Sequence, residues 1–178
     1  RASVEGERSN MSKPTYSILN NAVQKLASTR IGSRFFSRVA RHLDRLFLKL
    51  SDGRTNMSTA LAGMPIVVVT SIGAKSGLPR THPLVCIWDQ DNPEIFAVVA
   101  SNWGQKQYPA WYYNLKANPR VTCSIDGQDG EYIANQVEGE EYERFWHYAE
   151  AVYRGFPNYK ERVGDRDVPI MVMTPVTA

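Results

Sequence analysis

Over 65–137 and again over 168–173 the apolar residues come mostly in short β-rich runs broken by Gly, Pro, Asn and Asp, while three other stretches follow a helical period. The run Pro65-Ile66-Val67-Val68-Val69-Thr70 predicts a strand over 65–71. Further strands are expected over 80–88 and 94–101, divided by the turn Asp89-Gln90-Asp91-Asn92-Pro93. Val121, Cys123 and Ile125 alternate with polar residues in a fourth strand. Asp126-Gly127-Gln128-Asp129-Gly130 then turns the chain, 131–137 makes a fifth strand, and Val168-Pro169-Ile170-Met171-Val172-Met173 makes a sixth. Three stretches are helical instead. Over 33–50, Phe35, Phe36, Val39, Leu43, Leu46, Phe47 and Leu50 share one face, and Arg34, Arg38, Arg41, Arg45 and Lys49 repeat at the same period beside it. A second helix over 108–117 has Pro109 in its first turn and Asn118-Pro119 at its end. A third, over 139–153, begins with acidic residues that suit its positive end and carries Tyr142, Phe145, Trp146, Ala149, Val152 and Tyr153 on a broad apolar face.

Six strands with helices set between them argue for an α+β barrel of mainly antiparallel strands and against a parallel βαβ sheet. Residues 1–32 are weakly patterned and read as an N-terminal extension; the part before Met11 is left out of the fold. Residues 33–178 read as a single domain headed by the basic helix 33–50, with 52–64 a polar loop. That helix fits two settings: its apolar stripe packs on the domain, or it lies on an anionic membrane surface.

Composition narrows the function classes. The chain has 178 residues, 43% of them hydrophobic and 22% charged, which suits one ordinary domain with a real core. A net charge of +3 is too small to argue for nucleic acid. Cys86 and Cys123 lie in apolar strand patterns and are expected as buried free thiols. The three histidines, at 42, 82 and 147, have no metal-ligand spacing, so no metal is expected. With no secretory signal and no apolar run long enough to span a bilayer, the expected location is cytoplasmic, with the 33–50 helix as the means of peripheral attachment to the inner face of the cell membrane.

The chemistry-bearing feature is Gly73-Ala74-Lys75-Ser76-Gly77-Leu78-Pro79-Arg80, between the first two strands. Glycines let backbone N–H groups approach a ligand, and lysine and arginine supply charge and forked donors for phosphate oxygens. A solvated hairpin tip that merely carries charge fits the same octet. No nucleophile–base constellation is visible, and His82, ahead of a proline in a strand, reads as structural. Aromatic residues are dense instead: Trp103, Tyr108, Trp111, Tyr112 and Tyr113, then Tyr153, Phe156 and Tyr159 around Gly155 and Pro157, where a loop is expected. Flat walls with hydroxyl tips suit a planar ring. With the anion turn, they point to a phosphate-bearing ring cofactor that carries redox chemistry.

The octet, then His82-Pro83-Leu84, then Tyr108-Pro109-Ala110-Trp111-Tyr112-Tyr113-Asn114-Leu115-Lys116-Ala117-Asn118-Pro119, and then Asp165-Arg166-Asp167-Val168-Pro169-Ile170 together resemble the deazaflavin-dependent nitroreductase family over roughly 33–175. The resemblance implies a split β-barrel like that of FMN-binding proteins and reduced coenzyme F-420, an 8-hydroxy-5-deazaflavin, as hydride donor. It implies that Lys75, Ser76, Gly77 and Arg80 hold the phosphate and acidic tail. Pro83, Leu84, Val85, Ala100, Ser101 and Asn102 would line the ring, with Trp111 and Asn114 buttressing the site. Tyr153, Phe156 and Tyr159 match the family's mobile aromatic segment over the substrate, and Ser101 or Tyr153 would donate a hydrogen bond or proton to it. The implied acceptor is a small planar quinone, such as menaquinone, or a related enone or nitro compound, and such barrels often pair as homodimers. Val85 stands where nitroimidazole-reducing members resemble one another in having a tyrosine, Phe156 where a tyrosine is usual, and Asn102-Trp103 where lysine-glycine is more familiar, so the resemblance leaves nitroimidazole reduction open. FMN on the same groups, and a non-catalytic cofactor or lipid carrier at the membrane, are the alternatives.

Overall fold

The structure, a computed structural model, describes residues 64–176. The expected extension 1–32, the basic helix 33–50 and all but the last residue of the 52–64 loop lie outside the described residues.

Seven strands build one antiparallel sheet: β1 (Ile66–Ile72), β2 (Pro79–Val85), β3 (Ile87–Trp88), β4 (Phe96–Val99), β5 (Arg120–Ile125), β6 (Gln128–Val137) and β7 (Ile170–Pro175). Their order across the sheet is β2-β1-β5-β6-β7-β4-β3. β2 and β3 occupy opposite ends of that order although Cys86 alone separates them in the chain. One stretch of backbone therefore supplies both ends of the sheet, which requires the sheet to curl round on itself. The fold is the α+β split barrel that the sequence predicts. The expected strand over 80–88 is two strands, because Cys86 makes the last contact in the β1 register, donating its N–H to the Pro65 carbonyl at 2.9 Å, and from Ile87 the chain pairs with β4 instead. The fifth expected strand also starts earlier. Asp126 and Gly127 alone make the turn, with φ of 51° and 81°, so that Ile125 pairs directly with Gln128. Two adjacent positive φ values are the mark of the tight hairpin turn that Asp-Gly favours.

Helices α1 (Ala110–Ala117), α2 (Gly139–Val152) and α3 (Phe156–Arg162) complete the described fold. Pro109 caps the first helix in an extended conformation instead of lying within its first turn. The strand period of two separates two cores. Val67, Val69, Phe96, Val98, Val121, Cys123, Met171 and Met173 point into the barrel with Trp111 and Leu115 of α1. Ala97, Ile170 and Val172 point outward under Phe145, Trp146 and Ala149 of α2 and Phe156 and Tyr159 of α3. β4 and β7 are thus buried on both faces, which explains their unbroken apolar sequences.

Both cysteines are buried and free. Burial disfavours the thiolate, raising Cys86 well above its ordinary value and Cys123 to about 12. The native protein is therefore expected to leave both thiols unlabelled by a thiol-specific reagent at pH 8 and to expose two on denaturation. Rapid native labelling would contradict the closed barrel. Among the described residues no helix is long and apolar enough to cross a membrane.

Candidate functional site

The connection from β1 to β2 is a closed tip with its own hydrogen bonds. The Gly73 N–H donates to the Leu78 carbonyl at 2.9 Å and the Gly77 N–H to the Gly73 carbonyl at 2.8 Å. Gly77 needs a φ of 66°, which a side chain would strain. At Gly73 a Cβ would lie 2.6 Å from Ser76 Oγ, so the loop closes tightly on itself. Ser76 Oγ is shared, accepting from Arg80 Nη2 at 3.3 Å and from the Leu78 N–H at 3.4 Å.

Helix α1 fixes this tip from below. The buried Asn114 accepts the Ala74 N–H on Oδ1 at 3.0 Å, and Asn118 Nδ2 donates to the Ile72 carbonyl at 3.3 Å. Lys75, Ser76 and Arg80 remain exposed, and neither cation forms an ion pair among the described residues. Two uncompensated cations and a hydroxyl on a pinned glycine turn suit a phosphate and carboxylates. The phosphate and acidic tail that the resemblance implies would fit the residues present.

The positions expected to line the ring divide between two surfaces. Strand alternation puts Leu84 against the inner core, with Trp111, and Val85 against the outer core. Pro83, Leu84 and Val85 therefore do not present their side chains to one ligand face. Ala100 is fully buried in the inner core, and its N–H donates to the Pro169 carbonyl at 2.8 Å. Ser101 is 8% exposed and opens a short 3₁₀ turn, Asn102–Gly104.

That turn is left-handed throughout: Asn102, Trp103 and Gly104 have φ of 47°, 59° and 73°. For the two residues with side chains such a conformation costs on the order of 1–3 kcal/mol each and needs outside support. Arg166 supplies it. Its Nη2 donates to the Ser101 and Gln105 carbonyls, both at 2.9 Å. Nε donates to Gln105 at 3.1 Å, and Nη1 donates to Ala100 at 3.3 Å and to Asp167 at 2.7 Å. The guanidinium also lies 4.7 Å from the centre of the Tyr108 ring. Its partial burial lowers its pKa from the usual arginine value. Arg166 lies in the Asp165–Ile170 motif, but its role has no local signature, since the carbonyls it binds lie 61 to 66 positions away.

The aromatic trio corrects the expected loop. Phe156 to Arg162 is helix α3, with Gly155 as its cap and Pro157 in its first turn. Tyr153, Phe156 and Tyr159 are all buried, and the hydroxyls of Tyr153 and Tyr159 bond each other at 2.8 Å. Burial raises the pKa of both, so both stay protonated at neutral pH. Gly155 permits this packing, since a Cβ there would lie 2.4 Å from the Tyr153 ring. Tyr159 meets Trp103 edge-on at 6.4 Å, and the trio thereby backs the left-handed turn.

A separate cleft of about 580 Å³ lies among Gln136, Tyr142, Lys160, Asp165, Arg166 and Pro169. None of the residues expected at the coenzyme site lines it. Lys160 Nζ sits over the rings of Tyr142 and Trp146, at 5.3 and 4.5 Å. Among the described residues no group of three His, Cys, Asp or Glu could hold a metal ion.

Comparison with known proteins gives one family match over most of the chain. The family described as F420H(2)-dependent quinone reductase matches residues 39–175. An F420H(2)-dependent quinone reductase of Mycobacterium tuberculosis is 33% identical over 113 residues, 62% of this chain and 73% of that protein. A solved F420-H2 dependent reductase shares 35% identity with a TM-score of 0.56, covering 61% of this chain and 93% of its own. A solved domain-swapped dimer shares 31% identity with a TM-score of 0.57, covering 72% and 94%.

Proposed function

Because the chain belongs to the F420H(2)-dependent quinone reductase family, we propose that it passes hydride from reduced coenzyme F-420 to a small planar quinone of the menaquinone type. The observation that carries this reading is the pinned 73–80 tip, where Lys75, Ser76 and Arg80 stand exposed and without ionic partners among the described residues. The bound coenzyme supplies the hydride. The chain's part is to grip the tail, frame the ring and manage the acceptor's charge. Lys75, Ser76, the Gly77 backbone and Arg80 hold the phosphate and acidic tail, away from the reacting edge. Pro83 and Val85, the backbone at Leu84, and the segment Ala100, Ser101 and Asn102 that leads into the left-handed turn frame the ring. Trp111 and Asn114 support those elements from α1.

Hydride addition leaves an oxyanion on the quinone, which a hydrogen bond stabilises and a proton then neutralises. Ser101 Oγ is better suited to that task than the Tyr153 hydroxyl, which is already paired with Tyr159 in the outer core. In this reading Tyr153, Phe156 and Tyr159 shape the acceptor side from behind Trp103. A Ser101→Ala protein is expected to lose about tenfold in kcat, the effect of one hydrogen bond made in the transition state, with coenzyme affinity nearly unchanged. An unchanged kcat would remove Ser101 from the role.

The decisive experiment titrates the protein with oxidised coenzyme F-420 and with FMN, then offers quinone, enone and nitro acceptors with the reduced coenzyme. Saturable deazaflavin binding with quinone turnover is expected. FMN binding without deazaflavin binding, or coenzyme binding without turnover of any acceptor, would overturn the proposal.

A further inference from the structure

Three consecutive left-handed residues, one of them tryptophan, do not hold themselves. The turn at Asn102, Trp103 and Gly104 is gripped from two sides. On one side α3 presses against it: a Cβ on Gly104 would meet Tyr159 Cδ1 at 3.2 Å and Arg162 Cβ at 3.3 Å. On the other, a single guanidinium gathers the carbonyls of Ala100, Ser101, Gln105 and Asp167. Ala100 and Ser101 precede the turn and Gln105 follows it, so Arg166 ties its two ends together. Only arginine has donors fanned over three nitrogens in one plane; the lysine ammonium is a single point and cannot reach four carbonyls so arranged.

We propose that Arg166 is a positioning residue for the coenzyme's ring: by clamping the carbonyls on both sides of the left-handed turn it fixes Ser101 and Asn102 where the ring is bound. The proposal rests on the reading that the deazaflavin ring lies against this turn, and it assigns Arg166 no contact with the ligand. Phosphate and tail binding belong to the 73–80 tip and are independent of the clamp. Arg80, at the tail, and Arg166, behind the turn that frames the ring, thus have separable roles.

The test compares Arg166→Lys with the unaltered protein, using two ligands and one ligand-free signal. The ligands are the whole oxidised coenzyme and the deazaflavin nucleoside that lacks phosphate and tail. Arg166→Lys is expected to weaken both by a similar factor, about tenfold, because both depend on the ring. The ligand-free signal is fluorine NMR with 5-fluorotryptophan: the Trp103 resonance should shift or broaden, while those of Trp88, Trp111 and Trp146 stay in place. Tyr108→Leu, which removes only the ring under the guanidinium, should move the same signals in the same direction by less. It serves as the second variant if Arg166→Lys does not fold.

An unmoved Trp103 resonance with nucleoside affinity within twofold would overturn the clamp. A shifted Trp103 resonance with unaltered nucleoside affinity would overturn the positioning role, leaving a purely structural arginine. If the unaltered protein binds neither ligand, the deazaflavin reading fails and the positioning role with it. The Trp103 signal then still reports whether Arg166 shapes the turn, so the two failures are distinguishable.

Discussion

An Arg80→Ala protein is expected to bind oxidised coenzyme F-420 roughly ten- to a hundredfold more weakly than the unaltered chain, the loss of one charge-assisted contact of about 1.5–3 kcal/mol. The side chain lies on the exposed tip, and its hydrogen bond goes to Ser76 Oγ, itself exposed. Folding should therefore be little affected, and a melting temperature close to that of the unaltered protein is part of the prediction. The loss should also shrink as salt rises, since screening weakens exposed charge pairs. Isothermal titration at two ionic strengths measures both. Unaltered affinity at low salt would mean that the tip is a solvated hairpin end and that the tail is held elsewhere.

The other large effect is on stability. Phe145→Ala is expected to cost about 3–5 kcal/mol and to lower the melting temperature by roughly 10 °C or more. Phe145 is fully buried in the outer core, edge-on to Tyr148 at 5.9 Å, with the Arg144 guanidinium 5.1 Å from its ring centre. Truncation leaves a cavity between α2 and the sheet. The cost comes from that void as well as from the lost transfer energy. Thermal unfolding followed by circular dichroism gives the shift directly. A change below about 3 °C would mean that the helix layer is not an integral part of the folded domain.

The barrel was legible because strand alternation and turn residues are local. Val121, Cys123 and Ile125 alternate in sequence, and Val121 and Cys123 are buried. Misreadings arose where a local signal had two uses. Gly155 and Pro157 read as helix breakers, yet Gly155 makes room for the Tyr153 ring and Pro157 sits in a first turn, where its missing N–H costs nothing. The Asp126-Gly130 stretch holds two glycines and two aspartates, and only the first pair is needed for the turn.

The site was legible at the tip and obscure elsewhere, for the same reason. Gly73, Lys75, Ser76, Gly77 and Arg80 lie within one octet. The ring-framing turn instead depends on Arg166, far along the chain, and on positive φ values at Asn102 and Trp103 that neither residue type announces. Leu84 and Val85 are adjacent in sequence, but the strand sends them to opposite faces.

The place of β7 sets how this chain must be made. It is the last of the described strands in sequence but lies inside the sheet, with β6 on one side and β4 on the other. The hairpins β1–β2 and β5–β6 can close early, because their partners are near neighbours. The pairing of Phe96 with Met173 joins strands more than seventy residues apart and cannot form until β7 has been made. Until then the two halves of the sheet share no ladder, and the double-faced apolar strand β4 waits with one edge open. Clipping the chain before Ile170 would thus leave two sheet fragments tied through Cys86, with no ladder closing them, instead of a slightly shorter barrel.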